Sequence, residues 1–322
     1  MSLFFKIGYT VIIIISLLFL SIISYAQITI LYPKERPIKD YHRYWLKRLQ
    51  SDRIDIEYHY SKDKISYLLL KATAKTEQSI YIKHFINTLR YKYKYPKAIN
   101  SKIVVLFHGK NGRKEDLLPL CERYIAMGFT CIVPDLPAHG DSAMVKFILP
   151  KNYLDNILDD ASKYIDLKDK KISIWGFSLG AAVAIKSVAN SKYKFKSMVL
   201  VSTFDNLENV VIDKTSTFFG TFIAKEFGFV LCKSLKNISN FDINSLDSKK
   251  YAKKLNIPVL IIHGKKDNIV DYKRAKELYK TFASTKKEFL LNPNSNHYTI
   301  LNEVLKNYSK SGKFLIDELD SI

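Results

Sequence analysis

Residues 172–189 read Ile-Ser-Ile-Trp-Gly-Phe-Ser-Leu-Gly-Ala-Ala-Val-Ala-Ile-Lys-Ser-Val-Ala. The first four are a largely apolar strand signal, and residues 181–189 suit a helix. Between them lies Gly176-Phe177-Ser178-Leu179-Gly180, a G-x-S-x-G pattern in strand–turn–helix context. A turn this sharp pushes one hydroxyl out at the top of a sheet. The positions two before and two after that serine are crowded, so both must be small, and both are glycine. The competing reading is a glycine-rich helix N-terminus that cradles an anion.

Strand and helix signals alternate on either side. Residues 54–60 (Ile-Asp-Ile-Glu-Tyr-His-Tyr) alternate apolar and polar as a half-buried strand does, and 65–70 forms a second strand after a turn at 61–64. The runs at 103–107, 131–133, 198–201 and 259–262 are continuously apolar, as in strands buried on both faces, and 172–175 is a further strand. Helical spacing is expected over 117–127, 153–165, 181–189 and 272–282, with a last strand at 289–291 and a last helix from Tyr298. The pattern predicts an α/β fold: a mostly parallel open sheet with helices on both faces. Such sheets bind ligands at the carboxyl ends of their strands. Residues 73–100, rich in Lys and Tyr, read as peripheral.

The strand ends supply partners for Ser178. A serine hydroxyl needs an adjacent base to become a nucleophile, and the base needs a carboxylate to orient it. Of the seven histidines, His297 follows the last strand in Asn294-Ser295-Asn296-His297-Tyr298. His263 suits a structural turn better, and His42, His59 and His84 read as surface residues. Asp267, just beyond the strand at 259–262, is the expected carboxylate, with Asp205 as the substitute. The oxyanion of a tetrahedral intermediate needs backbone donors. The amides of Leu179 and of Lys110, in His108-Gly109-Lys110-Asn111-Gly112, are the candidates. The side chain of His108 reads as packing under the site.

These motifs resemble the alpha/beta-hydrolase superfamily over roughly residues 53–320. The resemblance rests on Leu106-Phe107-His108-Gly109, Asp135-Leu136-Pro137-Ala138-His139-Gly140-Asp141-Ser142, the Ser178 turn, His263-Gly264-Lys265-Lys266-Asp267 and Asn296-His297. The chain is similar to small-capped serine hydrolases of lysophospholipase-like, acyl-protein thioesterase-like and serine aminopeptidase-like type. Many relatives have Gly where Ala138 stands and a Gly-His pair where Asn296-His297 stands. The resemblance implies an alpha/beta-hydrolase fold with a small helical cap at about 205–250. It also implies cleavage of carboxylic ester or thioester bonds through an acyl-enzyme, with Ser178, His297 and Asp267 as the triad. A peptidase or an acyltransferase on the same triad is the alternative, and a noncatalytic basic membrane-surface protein is a further one. The cap's aromatic residues, among them Phe218, Phe219, Phe222 and Phe227, suit an acyl substrate but equally suit a cap burying its own face.

Composition narrows the partners. The 322 residues carry 51 Lys and Arg against 31 Asp and Glu, a formal charge of +20. Only 8 of the 51 are arginine, the residue best shaped for bidentate phosphate and base contacts, and the 43 lysines are dispersed. A solvated lysine-rich surface is therefore expected, and no specific nucleic acid. Cys121, Cys131 and Cys232 form no CxxC pair, which excludes a zinc ribbon; no metal or nucleotide site is apparent, and no cofactor is expected. The partner is a small-molecule acyl ester or thioester, with membrane association through the N-terminus or the basic surface as a second expectation.

Residues 1–26 read as a signal peptide: a short positive start, an apolar run over 7–23, and Ser24-Tyr25-Ala26 before Gln27 as the mature start. The alternative is an uncleaved N-terminal membrane anchor, favoured by Lys34, Arg36 and Lys39 on its far flank. Either way the chain is expected to be exported (periplasmic or secreted) or membrane-anchored. Residues 27–52 form a linker with an amphipathic helix, and 53–322 the hydrolase domain.

Overall fold

The computed structural model describes residues 3–34, 36–76, 79, 82–84, 86–87, 102–168, 170–306 and 308–320. Most of the stretch 73–100 thus lies outside the described residues.

Eight strands form one sheet in the order β1-β2-β4-β3-β5-β6-β7-β8. They are β1 (Ile54–Tyr60), β2 (Ser66–Ala72), β3 (Lys102–Phe107), β4 (Phe129–Pro134), β5 (Lys171–Phe177), β6 (Phe195–Val201), β7 (Val259–Gly264) and β8 (Lys287–Asn292). β2 runs antiparallel to both β1 and β4, and every pairing from β4 to β8 is parallel. The direction of winding reverses between β3 and β5, which places a crevice at the carboxyl ends of those two strands.

The continuous apolar runs are explained by burial on both faces. Val105, Phe107, Ile174 and Leu200 point to one core, with helices α4 (Tyr153–Ala161) and α5 (Leu179–Ala189). Val104, Leu106, Trp175 and Val199 point to the other, with α3 (Leu118–Ala126) and the C-terminal α10 (Tyr308–Asp320). Each such fully buried aliphatic side chain contributes roughly 1.5–3 kcal/mol. The chain end expected as one helix is two, α9 (Thr299–Lys306) and α10. The helix expected over 153–165 ends at Ala161.

Two helices precede the sheet. α1 (Leu3–Leu31) contains the apolar N-terminal run, and α2 (Asp40–Ser51) packs on β1 and α3. The reading of His42 as a surface residue is corrected. It is buried at the start of α2, where Nδ1 accepts from the Lys39 amide (2.9 Å) and Nε2 meets Asp116 Oδ1 (2.8 Å). A lone histidine in a polar helix carries no periodicity signal, so its neighbours decided its place. The segment expected as a cap holds α6 (Leu207–Ser239), whose helical path breaks at Gly220 (φ 77°, ψ 163°). Its two arms are 207–219 and 221–239, followed by α7 (Ser248–Ala252). α8 (Tyr272–Thr281) lies between β7 and β8.

The loops after β3 and β4 are locked together by buried polar groups. His108 Nε2 accepts from the Leu136 amide (3.0 Å), and Nδ1 donates to the Gly109 carbonyl (2.8 Å). His139 Nε2 accepts from the Asn111 amide (3.1 Å), and Nδ1 donates to the Pro137 carbonyl (2.8 Å). Beneath them Lys114 is fully buried. Its Nζ donates to Asp135 Oδ2 at 2.8 Å and to Asp141, while its amide donates to Asp135 Oδ1 (2.8 Å).

Two predictions follow from these buried groups. Lys114→Ala leaves Asp135 buried without its cation, while Glu115 keeps Arg113 (2.6 Å), so urea unfolding should show a loss of about 3–5 kcal/mol. The second concerns pH. Burial holds His108 down at about 4 and His139 at about 3, against an ordinary 6.5. Protonation therefore favours the unfolded chain, and this part of the stability is complete above pH 6.5 and lost as the pH falls below it. Each unit of separation corresponds to about 1.4 kcal/mol. Unfolding free energy should be level above pH 7 and fall from 6.5 toward 4, with a shallower fall in His139→Gln.

Candidate active site

Ser178 sits between β5 and α5 with φ 52° and ψ −119°, a strained conformation for a residue with a side chain. The surroundings hold it there. Its amide donates to the Val201 carbonyl of β6 (2.9 Å). A Cβ on Gly180 would lie 2.2 Å from the His108 carbonyl oxygen, and one on Gly176 would lie 2.7 Å from Ala181 Cα. The two glycines thus let the first turn of α5 close onto the end of β3. This brings the Leu179 amide, at the start of α5, near the loop that carries Lys110. Gly109 tightens the same junction, since a Cβ there would strike the Phe177 ring at 2.7 Å.

His297 Nε2 lies 3.1 Å from Ser178 Oγ, and His297 Nδ1 lies 2.7 Å from Asp267 Oδ2. The three residues come from the ends of β5, β8 and β7. Ser178 is 8% exposed and His297 3%, and the imidazole packs against the rings of Phe177 (5.1 Å) and Tyr298 (5.3 Å). Nδ1 faces a carboxylate, so it holds the proton, and Nε2 is left to accept one from the hydroxyl.

The Asp267 carboxylate is fully enclosed. Burial by itself would raise its pKa. Hydrogen bonds from His263 and His297 reverse that and hold the carboxyl well below the usual range. Its Oδ1 also accepts from the amides of Ile269 and Val270, both at 2.9 Å. His263 therefore does more than fill a turn, because its Nε2 lies 3.2 Å from Asp267 Oδ2 and 3.1 Å from the Val270 carbonyl. With two acceptors in front of it, that nitrogen must carry a proton. The signal for this role was the i, i+4 spacing of His263 and Asp267 across one turn.

The loops that carry Asp267 and His297 are joined by their backbones. The Lys265 amide donates to the Asn292 carbonyl (2.7 Å), and the Lys266 amide to the Ser295 carbonyl (3.0 Å). Gly264 permits this approach, since a Cβ there would lie 2.3 Å from the Ser295 oxygen. The Asn296 side chain accepts from the amides of Tyr298 and Thr299 and so caps α9. Asp205, the substitute carboxylate, is engaged elsewhere. It accepts from Asn206 and Asn209 and faces Lys249 (3.4 Å) and Arg274 (3.7 Å).

A cavity of about 300 Å³ adjoins the site on the β3 side, lined in part by Gly109, Lys110, Phe177, Tyr298, Arg36 and Tyr41. Arg36 and Tyr41 come from the segment before the sheet, and both are bound to Asp116.

Comparison with known proteins places this geometry in context. A family model described as Serine hydrolase (FSH1) matches residues 149–299, a span that includes Ser178, Asp267 and His297. An esterase of Pyrococcus furiosus superposes with a TM-score of 0.61 at 16% identity, over 89% of this chain and 97% of that one. A soluble variant of monoglyceride lipase from Saccharomyces cerevisiae, solved with a substrate analogue, gives 0.53 at 14% identity over 82% and 95%. An acylaminoacyl peptidase gives 0.55 at 11% identity, over 82% of this chain and 41% of that one. The family match supports hydrolase activity, and the structures agree in fold. The chain thus shares the alpha/beta-hydrolase fold of these structures.

Proposed function

We propose that the protein is a serine hydrolase that cleaves carboxylic ester or thioester bonds through an acyl-enzyme. The observation that carries this reading is the relay Ser178–His297–Asp267, with separations of 3.1 and 2.7 Å at the carboxyl ends of three parallel strands. In the first half-reaction Ser178 Oγ attacks the acyl carbonyl and His297 Nε2 takes its proton. Asp267 holds the imidazole and stabilises the cation that forms. The oxyanion rests on the amides of Leu179 and Lys110, each such donor being worth about 3–4 kcal/mol in the transition state. His297 then protonates the departing alcohol or thiol. In the second half-reaction His297 deprotonates a water that attacks the acyl-serine, and the acid leaves with Ser178 restored.

Esterase and lipase neighbours favour acyl substrates. The apolar helix at the N-terminus, long enough to cross a membrane by length and composition, supports an exported or membrane-held enzyme.

A fluorophosphonate probe should label the folded protein, and Ser178→Ala and His297→Ala should both abolish labelling. Ser178→Ala should lower turnover of p-nitrophenyl esters by roughly 10³-fold or more. A folded parent that is never labelled defeats the reading. Turnover of an aminopeptidase substrate in preference to every ester and thioester would replace it with the peptidase.

A further inference from the structure

The cap presents an apolar tip that the hydrolase reading leaves unused. Around the break at Gly220, residues 215–224 contain no charged side chain. Phe218 is 76% exposed and Phe222 79%, with Phe219 and Ile223 exposed beside them. A lid closing on its own site would bury these rings, and an aqueous surface disfavours such a patch. Nothing lies within 4 Å of the position a Cβ on Gly220 would take, so the tip stands free of the body.

A second, independent feature lies next to it. α1 carries no charge from residue 7 to its end, and within its apolar stretch Lys6–Leu31 residues 6–22 are exposed apart from half-buried Phe19. The two elements are packed together. The Phe19 ring meets Phe227 edge-on at 6.0 Å, and Gln27 Nε2 donates to Ser234 Oγ at 2.6 Å. Eight residues along α1 match seven along the second arm of the cap, so the helices run parallel. Seven residues back from Phe227 is Gly220, roughly 10 Å further along. The tip therefore points the same way as the N-terminal half of α1. Residues 6–25 of α1 would span roughly 30 Å, the thickness of a bilayer's hydrocarbon core. Below Tyr25 the helix joins the body, with Leu31 buried and its carbonyl accepting from the Phe147 amide. Exposed Lys214 and Lys225 bracket the uncharged tip, with Glu226 next to the second.

We infer that the cap tip inserts into the same lipid bilayer that holds α1, so that the cap opens toward the membrane and the substrate is an acyl ester resident in the bilayer. The substrate half of this inference rests on the proposed hydrolase activity; the insertion does not. α1 fixes the height and direction of the cap, and the four exposed apolar side chains of the tip face acyl chains.

The test uses the full chain reconstituted in vesicles of phosphatidylcholine and phosphatidylglycerol. Phe222→Trp adds a reporter to the native Trp45 and Trp175. Its emission should be blue-shifted and quenched when the lipids carry brominated acyl chains, beyond any quenching in the parent. Equal emission with plain and brominated lipid overturns the insertion. So does a blue shift that bromine leaves untouched and that grows with protein-to-lipid ratio, which would mean tip-to-tip contact between copies. In a second arm, Phe218→Glu with Phe222→Glu should lower turnover of a long-chain ester in vesicles by roughly tenfold and leave a water-soluble short-chain ester unchanged. Equal rates on both substrates, or equal losses, overturn membrane access through the cap. If the parent cleaves neither ester, the hydrolase reading fails, while the quenching still decides the insertion.

Discussion

A single buried carboxylate organises the functional end of this molecule. Asp267 has no contact with water, so its charge survives only because the protein supplies every hydrogen bond it needs. Two come from backbone amides of its own turn and two from imidazoles on different strand ends. Burial and full satisfaction act together here: a half-satisfied carboxylate at this position would take up a proton and release His297. The loop geometry around Gly264, the seat of His263 and the path of the chain after β8 can all be read as conditions for keeping that one charge in place.

The second organising constraint is steric. The end of β3 and the first turn of α5 share a volume too small for side chains at 176 and 180. That crowding forces Ser178 into its positive φ, and it also draws the β3 loop to Ser178. The buried set of His108, His139, Lys114 and Asp135 braces this loop from below. Two neutral imidazoles there act as rigid two-ended connectors, each donating at one nitrogen and accepting at the other. The basic character of the chain thus has two separate origins, a dispersed lysine surface and a few cations held in place by specific carboxylates.

Much of this was legible in the sequence. The apolar strand runs, the G-x-S-x-G turn and the strand-end positions of Asp267 and His297 are local patterns, and local patterns carry the parallel sheet and the meeting of those three residues. What was not legible depends on packing between distant segments. His263 reads as a turn residue until Asp267 is folded back over it. His42 reads as exposed until Asp116 arrives from 74 residues away. Asp205 sits after a strand end just as Asp267 does, and only its capture by Asn209, Lys249 and Arg274 removes it from the site. The two-armed form of the cap depends on one glycine break that composition does not distinguish from other glycines.

The two backbone bonds between the Asp267 and His297 loops bear on how this site fluctuates. Lys265 with Asn292, and Lys266 with Ser295, make the ends of β7 and β8 a single mechanical unit. Thermal drift at that edge of the sheet carries carboxylate and imidazole along together and leaves their mutual aim undisturbed. The looser coordinate is the gap between that unit and the rigid elbow two strands away. Molecule-to-molecule variation should therefore be concentrated in the separation of Ser178 Oγ from His297 Nε2, while ring orientation stays constant across the population.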